Sequence, residues 1–509
     1  SAINTSTIYI LNAEDKSNIF TLTSWSYSGK AHDCSINDDG NILVTADEMP
    51  SGHLKIWDIS DYNNIQMMSE YYTDIRHSIH NVYIKDSFVF CSYYADGLRV
   101  VDITYPTNPV EIAFYDTSDI EGVYVGNWGV YPFLDSGNII LSDIENGLFI
   151  VDLQGMAFLH EPLPNQDINV DTYTIISRVI TFDDNLNDFR LYYRNYLGSN
   201  NDWLSIPLTL AIENLFFGQI PKQQIGSLIQ YYLEATDFQN NSYKIPQVDE
   251  QNPLFFTVGE LPIYINEDFE SYESSLNWSS ESDDDATSGI WEWGIPIGTQ
   301  MDNYVVQPYN DATINGINCF LTGNYSNDNV YFDDVDNGKT TLISPIYDFS
   351  QYPNLIMSFW MWYSNGFGEN PNEDSFLLDV SNDSGSTWFN LKSYNKTTYD
   401  WIKKDIILSD YINLTDKMLL RFIASDLNDS SLVEVALDDL LFKPFGNPYD
   451  LGDANFDDSI DILDIVFILD YIQDNISFNL FESQASDFYI DGSINVLDIV
   501  ALIEFILTE

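Results

Sequence analysis

The sequence predicts a mainly β protein with a small helical unit at its C-terminus. Aromatic residues make up 15% and hydrophobic residues 45% of the 509 residues, a composition that supports packed, β-rich cores. Runs that alternate between apolar and polar residues recur through most of the chain and are separated by turn residues, as expected for strands. Apolar stretches of helical length follow acidic loops in the last sixty residues.

The charge of the chain restricts its partners. Nineteen basic residues against 79 acidic residues give a net charge of −60 at pH 7. Such a charge excludes nucleic acids and anionic membrane surfaces as natural partners and favours divalent cations. No run of eighteen apolar residues occurs, so no membrane span is predicted. The length suffices for three or four domains.

The three cysteines, Cys34, Cys91 and Cys319, are widely spaced. An odd number at such distances predicts neither a disulfide framework nor a metal-ligand cluster. We expect buried, unreactive thiols, with a Cys34–Cys91 bridge as the alternative. No signal peptide is visible at Ser1, and we expect an N-terminal segment that is either cleaved or missing from this sequence, because the domain types described below are typical of exported proteins.

A repeat marks residues 1–160. Three copies of a glycine followed by an apolar strand begin at Gly52, Gly97 and Gly147, which are 45 and 50 residues apart. Each copy follows an earlier apolar strand, and several short strands at this period are typical of β-propeller blades. The sequence therefore predicts a partial β-propeller. The strand-like segment Ile8–Asp15 looks like part of a preceding blade, so we expect N-terminal blades to be missing from this sequence.

The blades resemble a specific family of surface proteins. Three segments carry the resemblance: Asp96-Gly-Leu-Arg-Val-Val-Asp-Ile103, Pro106-Thr-Asn-Pro-Val-Glu111 and Ser142-Asp-Ile-Glu-Asn-Gly-Leu-Phe149. Residues 8–153 are similar to choice-of-anchor B proteins, which are β-propellers built on LVIVD repeats. The resemblance implies an exported, surface-associated protein and no particular reaction.

A first β-sandwich is predicted over residues 164–260. Alternating runs such as Tyr173–Phe182 and Ser227–Ala235 are separated by Asp, Asn and Gly turns. The segment resembles the immunoglobulin-like and fibronectin type III-like domains that act as spacers in secreted bacterial proteins.

A second, larger all-β unit is predicted over residues 264–446. It opens with Glu267-Asp-Phe-Glu270 and closes with Ala436-Leu-Asp-Asp-Leu440. The segment resembles MAM-like and carbohydrate-binding jelly rolls, whose first and last strands lie close together and often share a calcium ion. By position, the resemblance implies Glu267, Asp268 and Asp439 as calcium ligands; the alternative is that these carboxylates are solvated.

Two calcium-loop patterns in tandem occupy residues 450–509. Each places oxygen-bearing side chains at loop positions 1, 5, 9 and 12, and an apolar segment, Ile465–Ile472 or Ile499–Leu507, follows each loop. A hard cation that takes six to eight oxygens needs a loop that wraps around it, so we predict one calcium ion in each. The candidate ligands are Asp453, Asn455, Asp457, Ser459, Asp461 and Asp464 in the first loop, and Asp487, Asp491, Ser493, Asn495 and Asp498 in the second.

Both EF-hand-like loops end on Asp, where an EF-hand has a bidentate Glu. This departure and the doubling make residues 450–509 resemble a dockerin, a small calcium-folded module that docks proteins onto cohesin partners. Tyr489 departs from the pattern at position 3 of the second loop. The resemblance implies that positions 10 and 11 contact the partner; the alternative is that they pack against the neighbouring sandwich. These positions are occupied by Ile462, Leu463, Val496 and Leu497.

The sequence favours a non-catalytic role. It contains no Gly-x-Ser-x-Gly elbow, no His-Glu-x-x-His, no Walker loop and no dinucleotide fingerprint. His32 and His80 each open the first strand of a predicted blade. First strands line a propeller channel, so these two side chains could hold a metal; the alternative is a ring of polar residues bonded to the backbone.

Exposed tryptophans of the jelly roll could stack on sugar rings, which makes a glycan a candidate ligand; the alternative is that they belong to the core. The candidates are Trp291, Trp293 and Trp362.

Together these elements predict an extracellular or cell-surface, calcium-binding modular protein that serves in adhesion and assembly. Strand exchange between copies would cover the open edges of a partial propeller and build a structural filament. The partner would then be a second copy or a cohesin-like domain. One alternative is an enzyme-associated or carbohydrate-binding protein that its dockerin brings to a substrate, and another is an adhesin for a protein ligand.

Overall fold

Consecutive antiparallel sheets form most of the chain in the computed structural model, and a helical unit ends it. Within the described ranges, no helix is both long and apolar enough to cross a membrane. The structure describes residues 6–74, 76–120, 122–167, 170–182, 186–196, 202–246, 253–301, 304–325, 330–368, 370–427, 431–446, 450–457 and 459–508.

Residues 7–151, the meander region, form a hairpin and three sheets in which the strand order follows the chain. The hairpin contains β1 (Thr7–Asn12) and β2 (Phe20–Ser26). The three sheets contain β3 (Ala31–Ile36), β4 (Ile42–Asp47), β5 (Leu54–Asp58) and β6 (Gln66–Tyr71); β7 (Asn81–Lys85), β8 (Phe88–Ser92), β9 (Leu98–Asp102) and β10 (Val110–Tyr115); and β11 (Asn127–Tyr131), β12 (Ile139–Asp143) and β13 (Gly147–Val151).

Neighbouring meander sheets pack against each other near their first strands. β7 contacts β3, and β11 contacts β7 and β8. Val44, Ile56, Val82 and Val101 are fully buried in a core that joins the first two sheets, as the alternating apolar pattern requires. The predicted repeat of short strands is present, but the described strands do not form a closed propeller, so the partial propeller stays a prediction.

Residues 156–257 form the first sandwich, which begins before the predicted boundary. Met156 and Phe158 of its first strand pack against the buried core of this sandwich, so that strand belongs here and not to the repeat. In one sheet the strand order is β14 (Met156–Leu159), β15 (Thr172–Thr181), β19 (Leu215–Pro221) and β18 (Thr209–Ile212). In the other sheet the order is β17 (Leu204–Pro207), β16 (Leu186–Asn195), β20 (Leu228–Asp237) and β21 (Ser242–Ile245), and β22 (Leu254–Thr257) also pairs with β20.

A buried ion pair connects the meander region to the first sandwich. Arg178 on β15 places Nη1 2.8 Å from Oδ2 of Asp102 at the end of β9, and its Nη2 donates to Oγ1 of Thr104. Because the two charged side chains are only 9% and 2% exposed, each needs the other as its partner.

Residues 265–444 form the second sandwich. Its first strand pairs with its last, with Glu267 opposite Leu440, as the jelly-roll resemblance implies. One sheet contains β24 (Trp291–Gly294), β27 (Cys319–Thr322), β34 (Glu434–Pro444), β29 (Leu355–Ser364) and β32 (Ile402–Ile407), and β23 (Ile265–Glu267) also pairs with β34. The facing sheet contains β28 (Gly338–Ile343), β33 (Leu419–Asp426), β30 (Phe376–Ser381) and β31 (Phe389–Tyr394). The unit also contains a hairpin of β25 (Thr299–Met301) and β26 (Tyr304–Gln307) and the short helix α1 (Tyr272–Ser275).

Residues 450–508, the C-terminal module, contain three helices around a small apolar core. Both predicted helices are present, but each begins three residues earlier than predicted, because side chains of the loop's last residues cap them: Asp461 accepts from the backbone of Leu463 and forms a capping box with Asp464. A further helix between them was not predicted. The helices are α2 (Ile462–Ile472), α3 (Leu480–Ser486) and α4 (Val496–Thr508).

The three cysteines, all of them in the described ranges, form no disulfide. Cys91 and Cys319 are buried, as expected, whereas Cys34 is exposed. The expectation of a buried thiol is therefore wrong at Cys34, which lies at an outward position of β3.

Candidate functional site

The first acidic loop of the C-terminal module folds around Asp464, its last candidate ligand. The Asp464 side chain is fully buried, and its two carboxylate oxygens accept from the backbone N–H groups of Asn455 at 3.2 Å and Asp461 at 2.8 Å. Asp457 donates its backbone N–H to Oδ1 of Asp453 at 3.1 Å. These hydrogen bonds draw the two ends of the loop toward one centre.

The second loop repeats this pattern 34 residues later. Asp498 is fully buried and accepts from the backbone of Tyr489 at 2.9 Å and of Asn495 at 2.8 Å. Asp491 donates its backbone N–H to Oδ1 of Asp487 at 3.0 Å. The two loops therefore share these three internal hydrogen bonds.

The electrostatics of these loops favour a cation. The pKa of Asp464 is raised, because burial and the nearby charge of Asp453 outweigh the opposite effect of the N–H groups that point at the carboxylate. Residues 450–509 contain no Lys, Arg or His, so no basic side chain of the module balances the loop carboxylates. A hard divalent cation with oxygen ligands would supply that balance.

The predicted ligands of each loop therefore lie together, with one exception. Tyr489 occupies position 3 of the second loop with its side chain 60% exposed, while its backbone N–H bonds to Asp498. The second loop consequently has one candidate side-chain ligand fewer than the first, in which Asn455 occupies this position. Ser459 and Ser493 donate their backbone N–H groups to the preceding Asp457 and Asp491.

The helices that leave the loops carry two matching apolar stripes on their exposed faces. The side chains at loop positions 10 and 11 do not pack against the sandwich, because Ile462, Leu463, Val496 and Leu497 are 67%, 54%, 60% and 51% exposed. Each stripe continues one and two turns later along its helix. The stripes are Ile462, Leu463, Val466 and Leu469 on α2, and Val496, Leu497, Val500 and Ile503 on α4.

A second acidic site lies where the first and last strands of the second sandwich meet. Asp439 has a raised pKa because it is half-buried and lies near the negative charge of Asp311, with Asp268 and Glu270 adding to the effect. Asp268 and Asp439 thus lie close enough to influence each other, and their role as calcium ligands stays a prediction. Glu267 points elsewhere, toward the hydroxyl of Tyr347, because successive residues of an extended strand face opposite sides.

Three carboxylates of this site were missed from the sequence. Asp438 is buried, and its pKa is raised to about 9 by burial and by Asp311. Glu270 accepts from the backbone N–H groups of Ile317 at 2.6 Å and Asn318 at 3.1 Å. Nothing distinguishes Asp311 or Glu270 from the other acidic residues of so acidic a sequence, so only the fold could reveal them.

The three tryptophans proposed to stack on sugar rings lie in or against the core of the second sandwich, with Trp293 half-buried. Trp291 and Trp362 are 9% and 5% exposed. The indole N–H of Trp362 donates to the Val306 carbonyl, and that of Trp293 donates to the Phe269 carbonyl. The prediction of exposed platforms is therefore wrong, because these side chains serve the interior of the sandwich.

His32 and His80 face each other at the junction of the first two meander sheets, as predicted. Their ring centroids are 4.3 Å apart. Glu48, which the sequence did not indicate, lies between them: its carboxylate oxygens are 3.1 Å from Nδ1 of His32 and 3.8 Å from Nε2 of His80. Burial and the nearby His32 lower the pKa of His80, against opposing contributions from Asn81, Glu48 and the backbone of Trp128.

A third acidic group is already paired with basic side chains. Glu281, Asp283 and Asp284 lie close together, but Lys339 is 3.2 Å from Glu281 and 3.1 Å from Asp283. Arg421 pairs with Glu281 at 2.7 Å. These contacts balance part of the negative charge within the sandwich.

Solved structures with partial similarity to the chain have low sequence identity. The K1 cleaved adhesin domain of Lys-gingipain from Porphyromonas gingivalis is 14% identical, with a TM-score of 0.25, over 36% of this chain and 98% of that chain. The CBM22-1–GH10 modules of xylanase 10B from Clostridium thermocellum are 13% identical, with a TM-score of 0.22, over 38% and 31%. TM-scores this low carry no argument about function.

Sequence comparison identifies the C-terminal module. No curated protein matches the chain. The family model of the dockerin type I domain matches residues 451–507, the segment that contains both acidic loops, α2, α3 and all of α4 except its last residue. The chain is therefore a modular β protein that carries a dockerin type I domain at residues 451–507.

Proposed function

We propose that this protein is an extracellular or cell-surface binding protein that its dockerin domain attaches, in a calcium-dependent manner, to a cohesin-type partner. The observation that carries the proposal is the pair of matching apolar stripes on α2 and α4, each beside an acidic loop. Contiguous apolar side chains on a highly charged surface indicate a protein interface. The meander region and the two sandwiches would then present the ligand-binding surfaces.

Calcium has a structural role in this proposal. Each loop connects to the helix that carries its stripe, and the fully buried Asp464 and Asp498 are the first-turn residues of those helices. Calcium bound in a loop would fix the start of its helix and with it the first two side chains of the stripe. Metal affinity and the folding of the docking surface are then coupled.

Substitution of the stripes tests the docking proposal. We expect the double variant Leu463→Asp/Leu497→Asp to bind a cohesin at least about 100-fold more weakly, because a charge replaces an apolar anchor on both helices. Each single variant should lose less, because the other stripe remains. The measurement is calorimetric titration of the full chain with a panel of purified cohesin domains in calcium.

The matched control is Leu276→Asp. Leu276 is 63% exposed at the end of α1 in the second sandwich, away from both stripes, so its substitution should leave the affinity unchanged. Equal affinity of the double variant and the unaltered chain, or equal weakening by the control, would contradict the docking surface. Circular dichroism of each variant in calcium establishes that the helices have formed.

Exposed apolar strand positions favour a second candidate function, self-association. On β13, an edge strand of the described meander sheets, Leu148 and Ile150 are 68% and 62% exposed. Phe20 on β2 is 50% exposed. Exposed apolar edges pair readily with strands of another chain, and such pairing would produce the assembly that the repeat predicts.

We expect Leu148→Lys/Ile150→Lys to convert concentration-dependent oligomers into monomers, measured by light scattering after size-exclusion chromatography and by negative-stain microscopy. The control is Ile314→Lys, since Ile314 is 99% exposed in a loop of the second sandwich. Monomers of the unaltered chain at all concentrations, with calcium and with chelator, would contradict self-association and leave docking as the function.

A further inference from the structure

We infer that His32, Glu48 and His80 bind a divalent transition-metal ion at the junction of the first two meander sheets. One ligand atom from each of these three side chains lies within 4.8 Å of the other two, a spacing that one ion with bonds of about 2.0–2.2 Å can bridge after small side-chain movements. The site is independent of the C-terminal calcium loops and of the docking proposal.

The surroundings of His80 orient one of its ring nitrogens toward the site. The Asn81 side chain donates through Nδ2 to Oδ2 of Asp33 at 3.0 Å, so its oxygen is the atom that faces Nδ1 of His80 at 3.0 Å. Nδ1 therefore carries the proton and donates to Asn81. The lone pair is then on Nε2, the nitrogen nearest Glu48, and such an outer hydrogen bond is typical of metal-binding histidines.

The Glu48 carboxylate is held in place from outside the site. The Tyr94 hydroxyl donates to Oε1 of Glu48 at 2.7 Å, while Oε2 faces Nδ1 of His32. Glu48 directly follows β4, and its backbone N–H donates to the carbonyl of Lys30, which precedes β3. The backbone of Glu48 is therefore tied to the segment that leads into β3, the strand that carries His32.

The donor set selects the class of metal. Two imidazoles and one carboxylate suit zinc, cobalt, nickel, iron or manganese, whereas calcium prefers oxygen ligands throughout. Three protein ligands leave coordination positions for water or a ligand. The His32 side chain is 34% exposed and Glu48 is 21% exposed, while His80 is 6% exposed, so the site opens to solvent on the His32 side.

The same geometry has an explanation without metal, and the experiment separates the two. His80 lies between His32 and Trp128, with ring centroids 4.3 Å and 4.9 Å away. A stack of three rings that packs the blade-like sheets together, with Glu48 as a hydrogen-bond acceptor, would need no ion. That stack predicts no metal affinity at this position.

The test is a titration of the full chain with Co²⁺ in saturating calcium, followed by visible absorption, because calcium then occupies the oxygen-rich sites. We expect one equivalent of Co²⁺ with an absorption band of nitrogen and oxygen coordination. Glu48→Gln and His32→Ala should each weaken this binding at least about 10-fold. Both side chains are partly exposed, so the variants are expected to fold, which circular dichroism checks.

The matched control is Glu70→Gln. Glu70 is also paired with a histidine of the meander region, at 3.3 Å from Nδ1 of His53, and with Lys55 at 2.8 Å. Co²⁺ binding should be unchanged in this variant. The inference is overturned if no band appears, or if Glu48→Gln and His32→Ala bind Co²⁺ as the unaltered chain does.

Discussion

Replacing Asp464 by alanine is expected to remove the calcium ion of the first loop and to unfold the start of α2. The side chain is fully buried and accepts two backbone N–H groups from opposite ends of the loop. Its loss takes away one charged ligand and leaves the N–H groups of Asn455 and Asp461 without this acceptor, at a cost of about 1–3 kcal/mol each where they stay buried. We expect calcium affinity at this loop to fall by roughly 100-fold or more.

Asp498→Ala should have the same effect on the second loop and on α4. Because the two loops share their hydrogen-bond pattern, each single variant should bind one calcium ion fewer than the unaltered chain, and the double variant two fewer. Calorimetric titration gives the stoichiometry, and circular dichroism at 222 nm follows the loss of helix. Counting differences between variants makes the result independent of any calcium bound by the second sandwich.

The control for the calcium prediction is Glu504→Ala. Glu504 is an exposed carboxylate on α4, beyond the loop, so the variant should retain the full calcium stoichiometry and the helical signal. Unchanged calcium binding in Asp464→Ala and Asp498→Ala would contradict the assignment of these residues as ligands.

The second sandwich is expected to lose stability as the pH rises from about 4 to 8. Asp334 is 1% exposed, and among the described residues neither of its carboxylate oxygens has a hydrogen-bond partner. Burial, then the charges of Asp336 and Asp426, raise its pKa from 3.8 to about 8. The pKa of Asp426 is raised to about 6 by burial and by Asp374.

The sign of this effect follows from where the proton is bound. Between pH 3.8 and 8 the folded chain keeps the Asp334 proton, while the unfolded chain has released it. The stabilisation is therefore complete below the unfolded pKa and is lost as the pH rises through the folded pKa. A shift of this size corresponds to a loss on the order of 5 kcal/mol in the free energy of unfolding.

Asp334→Asn tests the pH prediction. The amide cannot ionise, so the variant should be more stable than the unaltered chain at pH 8 and close to it at pH 4, as measured by urea denaturation in chelator. Glu373→Gln, an exposed position of the same sandwich, should change neither value. Equal stability of the unaltered chain at both pH values, or destabilisation by Asp334→Asn at pH 8, would contradict the buried, protonated carboxyl.

The sequence predicted those features that depend on local patterns. The acidic loops were found because their ligands follow a fixed spacing, and the meander strands because the repeat recurs in register. The early start of α2 was missed because the side chain of Asp461 serves both as a loop residue and as a helix cap. β14 was assigned to the repeat because strand pairing, which places Met156 opposite Thr181, is not visible in a local pattern.

Residues brought together from distant positions were harder to predict. His32 and His80 could be paired because they occupy equivalent positions in successive repeats. Glu48 follows a different strand and has no repeat equivalent that would mark it. The tryptophans were misassigned because alternation separates the two faces of a strand but does not say which face is covered. In this sandwich the indole N–H groups of Trp362 and Trp293 donate to the carbonyls of Val306 and Phe269, which anchors both side chains to the protein.

The measurement that tests the central claim most directly is capture of a cohesin domain by the full chain in calcium, after chelation, and after calcium is restored. Calcium-dependent docking predicts binding that is lost in chelator and recovered on adding calcium back. Binding that persists in chelator, or no binding to any cohesin domain of the panel in calcium, would contradict the claim.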